Sequence, residues 1–288
     1  VIDLHSHTVH SDGDRSPAQL LAEAAAAGVT VLSVTDHDTV SGIAECRAAS
    51  EAVGVRLVPG IELSCDLHGR EVHVLGHFVD DRSAALGRLA AGMMAERRER
   101  MERMVQRARQ QGLSGVTLDR VVAASGGENL GRPHLARVLV DCGHAQSIKD
   151  AFDRYLKTKG ALWVDRRRLA VADAVQLVHD AGGTASVAHP GANGISRQEL
   201  KGMAETGLDA VEAWHPEHPP NQAEAFVSWA AELGMLVTAG SDYHGPGVQP
   251  DRKLGDRFLP PERFAALEER SKSRYVKASD AQRKSGPQ

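Results

Sequence analysis

The stretch Val1-Ile2-Asp3-Leu4-His5-Ser6-His7 reads as a short apolar strand that ends in two histidines one residue apart. Side chains alternate faces along an extended chain, so positions two apart project to one side. His5 and His7 can therefore aim two imidazoles at a single point, and neutral imidazole is the commonest metal ligand among side chains. Alone, the pair is a weak signal, because short motifs recur by chance. Its weight depends on matching ligands from elsewhere in the chain.

Working outward, such ligands recur at strand ends. Val29-Thr30-Val31-Leu32-Ser33-Val34-Thr35 is a β-branched run, read as a buried strand, that leads into Asp36-His37-Asp38. Residues 55–59 form a second short strand followed by Gly60-Ile61-Glu62. Residues 71–79 alternate in polarity and carry His73 and His77. Later strands over 184–188, 208–214 and 235–240 run into His189-Pro190, His215-Pro216 and Ser241-Asp242-Tyr243-His244. Helices lie between the strands. One covers 17–27, with Ser16 as N-cap, Pro17 at the first helical position and Gln19 where a capping box needs it. Others cover 41–52, 170–181, 197–205, 221–232 and 261–270. The alternation argues for a parallel α/β sheet or barrel, in which ligands bind at the carboxyl ends of strands. Seven candidate parallel strands can be counted, fewer than the eight of the ordinary barrel.

From Asp81 the composition changes. Residues 82–111 are charged and long enough for one extended helix, whose mixed-sign charges fit a solvated face. Helices over 117–124, 133–140 and 147–156 follow. The expected organisation is a barrel from 1–80 and 166–271, an all-helical insertion subdomain at 81–165, and a polar tail at 272–288, disordered from Ala278. Within the insertion, Gly126-Gly127-Glu128-Asn129-Leu130-Gly131-Arg132-Pro133-His134 is a Gly-rich loop entering a helix.

Composition sets limits. The chain has 288 residues, 42% hydrophobic and 25% charged, with a net charge of −4. That gives no basic signal for duplex DNA, and no apolar run reaches membrane-spanning length. No secretory leader is visible, and Cys46, Cys65 and Cys142 are widely spaced, which fits a reducing cytoplasm better than a disulfide framework. Histidine is the outlier, at 14 residues.

A single ion needs only three or four side chains. His5, His7, His37, Glu62, His73, His189, His215, Asp242 and His244 are more than that, so they point to a multinuclear site with Glu62 as the bridge. Mixed imidazole and carboxylate ligands suit Mn, Zn or Fe better than Ca or an all-oxygen Mg cage. No C-x-x-C is present for a thiolate zinc site.

His5-Ser6-His7, Ser11-Asp12-Gly13, Thr35-Asp36-His37-Asp38, Gly60-Ile61-Glu62, Ala188-His189-Pro190 and Ser241-Asp242-Tyr243-His244 occur in that order. As an ordered set they resemble the PHP (polymerase and histidinol phosphatase) superfamily. The resemblance implies a distorted (β/α)7 barrel with an all-helical insertion and a site for three divalent ions. Mn is preferred, with Zn, Fe or Mg as alternatives. It also implies ligand sets: His5, His7, Glu62 and Asp242; Glu62, His73 and His189; Asp12, His37 and His244. Many relatives carry histidine where this chain has Asp12, a change toward harder ions such as Mn. His73 is the ligand this implies on its strand, with His68 and His77 as alternatives between which the strand register decides.

The insertion bearing Gly131-Arg132-Pro133-His134 is similar to that of the 3′,5′-nucleoside bisphosphate phosphatases, some of which also trim short RNA from its 5′ end. The implied reaction is metal-assisted hydrolysis of a phosphomonoester, the 3′-phosphate of a nucleoside bisphosphate (pAp to AMP). The expected partners are a small nucleotide with one or two phosphates and short single-stranded RNA, with no duplex DNA and no membrane. Arg132 is the candidate for gripping a second phosphate, because guanidinium matches phosphate oxygens bidentately. His134 and His215 are the candidates for serving the leaving group. Trp163, Trp214 and Tyr243 are aromatic enough to stack a base, with core packing expected for Trp163. Alternatives are another PHP phosphatase, such as a histidinol phosphatase, or an amidohydrolase. No lysine ends any candidate strand to support the latter. A polymerase accessory module ranks last, since the chain has no polymerase-sized region.

Overall fold

The computed structural model describes residues 1–125, 130–165 and 168–284, with side chains as far as Arg274. The Gly126-Gly127-Glu128-Asn129 part of the expected glycine-rich loop lies outside the described residues. In chain order the first elements are β1 (Ile2–Asp3), α1 (Pro17–Ala26), β2 (Val31–Val34), α2 (Ile43–Val53), β3 (Arg56–Leu67) and β4 (Arg70–His77). A helical run follows: α3 (Ala84–Gln110), α4 (Leu118–Ser125), α5 (Arg132–Asp141) and α6 (Ile148–Ala151), which passes into one π-helical turn, Phe152–Leu156. Then come β5 (Leu169–Ala170), α7 (Val171–Asp180), β6 (Thr184–Val187), α8 (Arg197–Glu205), β7 (Ala210–Trp214), α9 (Pro220–Glu232), β8 (Leu236–Ala239) and α10 (Pro261–Lys284). At α1 the sequence signals act as read. Ser16 Oγ accepts Gln19 N–H, and the Gln19 side chain accepts Ser16 N–H.

The strands run in the order β1-β2-β3-β4-β6-β7-β8, with β5 pairing β3 off that path. Leu4 N–H donates to Ala239 O at 3.1 Å, and Ser6 bridges Tyr243. The first and last strands therefore meet, and the sheet nearly closes into a barrel. The seven-strand path matches the expected count, but its strands are not all parallel. β4 runs antiparallel to both β3 and β6. The cause is local: His68 and Gly69 have φ of 53° and 81°, the two positive values that a two-residue hairpin needs. The chain reverses at once instead of crossing over through a helix.

β3 is also longer than its sequence suggests. It runs through Pro59 and Gly60 to Leu67, so Glu62 sits inside a strand and not in a loop beyond one. Gly60 makes this passage possible. A Cβ there would lie 2.7 Å from Ser33 Oγ and from Thr35 Cγ2.

Leu63, Val72, Val74, Val178, Val187, Val211 and Phe226 fill one core between the sheet and helices α7 to α9. The helical run has a separate core around Met104, Leu135, Leu139, Leu156 and Leu162. A buried ion pair joins the two. Arg97 on α3 donates from Nε to Asp38 Oδ2 at 2.9 Å, and Asp38 also accepts Ser64 N–H at 2.8 Å. Asp38 directly follows His37, so the position of α3 and the β2 end are mechanically linked. Among the described residues no helix is long and apolar enough to cross a membrane.

The segment from Lys272, expected as a tail, instead carries α10 on to Lys284. Contacts at residues 270–274 anchor the helix where the tail was expected to begin. Arg270 and Arg274 reach Asp209, and Ser271 Oγ donates to Gly182 O at 2.9 Å. Asp209 also accepts from His179 Nε2 and from Ala185 N–H, both at 2.9 Å. Burial alone would raise this carboxyl; bonds from His179 and Arg274 outweigh it and hold it at about 2, below its ordinary 3.8. A depressed carboxylate stabilises the fold above its unfolded pKa and loses that contribution as pH falls through the folded value. Asp209 should therefore contribute about 2 kcal/mol at neutral pH, lost as pH falls from roughly 4 toward 2. Asp209→Asn is expected to lower neutral-pH stability by that order, and the gap to the parent should shrink below pH 3. Urea unfolding at a series of pH values reads this out; an equal gap at pH 7 and pH 2.5 would contradict it.

Candidate metal centre

Each ligand-type side chain reaches the barrel rim from a strand end or from the loop behind it. His5 and His7 follow β1, Asp12 lies in the next loop, His37 follows β2, and Glu62 projects from within β3. His73 is on β4, His189 follows β6, and Asp242 and His244 follow β8. Three groups place their ligand atoms within 4.8 Å of one another: His7, Asp12, His37 and His244; His5, His7 and Asp242; and His37, Glu62 and His73.

Glu62 is the hub. It is 1% exposed. Its Oε2 lies 3.4 Å from His5 Nε2, 3.3 Å from His7 Nε2 and 3.1 Å from His37 Nδ1. Its Oε1 lies 2.8 Å from His73 Nδ1 and 3.1 Å from His189 Nε2. Asp242 Oδ1 lies 3.3 Å from both His5 Nε2 and His7 Nε2. Asp12 Oδ1 lies 3.2 Å from His244 Nε2. His77 is elsewhere: its Nε2 donates to Leu4 O at 2.9 Å, and burial pushes the ring down to about 4. The structure thus brings His73, and not His77, to Glu62.

The chemistry of this set fits divalent cations. His5 Nε2, His7 Nε2, Asp12 Oδ1 and Glu62 Oε2 are buried atoms without a hydrogen-bond partner, and all face the cluster. Stranded polar atoms cost free energy unless something coordinates them. The electrostatics agree. Burial alone would raise Glu62, yet the His37, His73 and His5 imidazoles hold it well below the usual carboxylate range. Asp12 and Asp242 are held low in the same way. Burial opposes charge on His7, but Asp242 and Glu62 lift it to about 10, while neighbouring His37 is pushed by burial to about 3. The carboxylates draw positive charge into a dry site, and the imidazoles supply it unevenly.

A cleft of about 600 Å³ opens beside His73, lined by Arg132, Lys159, Trp163, Arg168 and Asn193 among others. Trp163 is half-buried and faces this cleft, contrary to its expected place in the core. The Arg100 and Arg132 guanidinium groups lie 4.8 and 5.0 Å from its ring centre. Trp214 and Tyr243 pack into hydrophobic cores instead. His134 is 2% exposed and its Nδ1 accepts Gly131 N–H at 3.0 Å, which fixes the turn that presents Arg132. Burial lowers its pKa to about 4. His215 is 1% exposed, with Nε2 3.3 Å from Asp242 Oδ2 and Nδ1 accepting Glu217 N–H. Of the two candidates for the leaving group, only His215 touches the ligand cluster.

Three further residues support the ligands in ways the sequence does not show. Asp36 accepts Thr8 N–H at 2.8 Å and Ser11 Oγ–H at 2.6 Å, holding the loop between His7 and Asp12. Arg252 bonds both the carbonyl and the carboxylate of Asp242 and also reaches Glu217. Glu212, wholly buried on β7, touches His5 and His189. Asp36 stands inside the Thr35-Asp36-His37-Asp38 motif, which shows its place at a strand end but not this role. Arg252 and Glu212 carry no local signal.

A rim of imidazoles and carboxylates on a nearly closed α/β barrel belongs to the class of sites that can hold metal ions. Comparison with known proteins narrows the class. The PHP domain profile matches residues 3–90. The 5′-3′ exoribonuclease Rnm of Escherichia coli is 31% identical over 262 residues, covering 88% of this chain and 89% of that protein. The 3′,5′-nucleoside bisphosphate phosphatase of Chromobacterium violaceum is 31% identical over 268 residues, 90% of this chain and 93% of that protein. Phosphoribosyl 1,2-cyclic phosphate 1,2-diphosphodiesterase of Eggerthella lenta is 32% identical over 252 residues, 84% and 94%. A crystal structure described as a metal-dependent phosphoesterase, from Bifidobacterium adolescentis, superposes with a TM-score of 0.86 at 33% identity, covering 93% of this chain and 95% of that one. The chain belongs to the PHP family, and it is a metal-dependent phosphoesterase.

Proposed function

We propose that this phosphoesterase removes the 3′-phosphate of nucleoside 3′,5′-bisphosphates, holding Mn ions on His5, His7, Asp12, His37, Glu62, His73, His189, Asp242 and His244. The observation that carries this reading is the cleft beside His73, lined by Arg132, Lys159, Arg168 and the half-buried Trp163, with the Arg132 guanidinium 5.0 Å from the Trp163 ring centre. Cations beside an aromatic ring suit a nucleotide whose second phosphate lies apart from the reacting one. Divalent ions held by these side chains would supply a lowered pKa for water and neutralisation of phosphoryl oxygens. The chain's own residues do the rest. Glu62 and Asp242 set the spacing of the ligands, Arg132 anchors the distal phosphate, and His134 holds the turn that aims Arg132. His215, against Asp242, serves the leaving oxygen.

The relatives favour this substrate class without singling out one member. Among the relatives, three bear the name of a 5′-3′ exoribonuclease, one of a bisphosphate phosphatase and one of a cyclic phosphate diphosphodiesterase. The same cleft would admit the 5′ end of a short single-stranded RNA, which makes trimming of such ends the second reading. Two readouts on Mn-loaded protein separate the choices: inorganic phosphate release from adenosine 3′,5′-bisphosphate and from histidinol phosphate, and nucleoside monophosphate release from a 5′-phosphorylated RNA trinucleotide. The bisphosphate should be turned over fastest. Preference for histidinol phosphate, or turnover of N-acyl substrates alone, would overturn the reading.

Arg132→Ala should lower kcat/KM for the bisphosphate by roughly 10–100-fold, the value of a charge-assisted pair. Turnover of a simple aryl phosphate should change much less. Equal losses on both substrates would refute the distal-phosphate clamp.

A further inference from the structure

We infer that Glu212 is a positioning residue that fixes two proposed metal ligands, His5 and His189, through one buried carboxylate. Glu212 is on β7 and 0% exposed. Its Oε1 lies 3.0 Å from His5 Nδ1. Its Oε2 accepts the backbone N–H of His189 at 2.7 Å. The pairing of β7 with β8 shifts register between Glu212 and Trp214. Such irregularities re-aim side chains, and this one lies where the carboxylate turns toward the rim.

Each contact has a chemical consequence. An ionised carboxylate only accepts hydrogen bonds. Glu212 therefore requires the proton of His5 to sit on Nδ1, which leaves the Nε2 lone pair free to coordinate. Nε2 is the atom that faces the cluster, 3.4 Å from Glu62 Oε2 and 3.3 Å from Asp242 Oδ1. Carboxylates behind histidine ligands commonly set tautomer and ring orientation in this way. At His189 the contact is to the backbone, where φ is 29°, a left-handed value that histidine seldom adopts. The bond from Glu212 holds that conformation, and His189 Nε2 then lies 3.1 Å from Glu62 Oε1. One side chain thus sets the pose of ligands assigned to two different ions, so their affinities should change together.

Glutamine is the informative replacement. It keeps the shape of Glu212 but exchanges one acceptor for a donor, so it cannot accept from both His5 and His189. Calorimetric titration of the metal-free protein with Mn or Zn should show at least one ion bound 10–100-fold more weakly in Glu212→Gln. Glu212→Asp retains two acceptors and should recover part of the loss. Nitrogen-15 spectra of the zinc-loaded unchanged protein should show His5 protonated at Nδ1. Because this spectrum needs no variant, the idea stays testable even if Glu212→Gln fails to fold. A proton on Nε2 of His5, or equal affinities in the unchanged protein and Glu212→Gln, would overturn it. The inference rests on the metal reading of the rim, and the two fail differently. If the unchanged protein binds no ions, that reading fails; if protein and variant bind them alike, only the role of Glu212 fails.

Discussion

Glu62→Ala is expected to release at least one ion and to lower phosphate release by on the order of 10³-fold or more, since both activation of water and neutralisation of the phosphoryl group depend on the loaded centre. The size of the effect follows from where Glu62 sits. Its two oxygens reach His5, His7, His37, His73 and His189, so no other single carboxylate among the described residues meets as many of the proposed ligands. Removing it also removes the negative charge that keeps cations at the rim. Elemental analysis after dialysis reads the metal content, and circular dichroism checks that the fold survives. Unchanged metal content would rule out Glu62 as the bridge.

Asp38→Ala should be the most destabilising change outside the ligand cluster, by about 3–5 kcal/mol, because it strands the buried Arg97 guanidinium. For a chain of this size the melting temperature should fall by roughly 10 °C. Asp38 also holds Ser64 through both backbone and side chain, so the variant loosens β3 two residues beyond Glu62. Activity should therefore fall as well. Adding Arg97→Met to Asp38→Ala removes the stranded charge and should restore much of the melting temperature. A single variant that melts with the parent would show that the joint between α3 and the barrel carries no weight.

The rim was legible because its signals are local. A pair such as His5 and His7, or a run such as Asp36-His37-Asp38, sits at the end of an apolar strand, and strand ends converge in any parallel α/β fold. The direction of β4 was not legible, because it turns on His68 adopting a positive φ, which a non-glycine residue rarely does. Glu62 was read as following a strand because Pro59 and Gly60 look like a strand's end. In the structure Gly60 instead lets β3 pass close to Ser33. Glu212 was missed for a different reason. In Ala210-Val211-Glu212-Ala213-Trp214 it resembles the polar residue of an ordinary alternating strand, whereas both faces of an inner barrel strand are enclosed. Arg252 becomes meaningful only once the loop after β8 folds back on Asp242. Trp163 looked like core material because composition cannot tell a cleft wall from a packed interior. The reach of α10 was hidden because Arg270 and Arg274 find their partner, Asp209, far back in the chain.

Anomalous diffraction from Mn-soaked crystals tests the multi-ion centre at this rim most directly. The prediction is separate peaks beside His5, His7 and Asp242; beside Asp12, His37 and His244; and beside Glu62, His73 and His189. A single peak, or peaks away from these side chains, would contradict it.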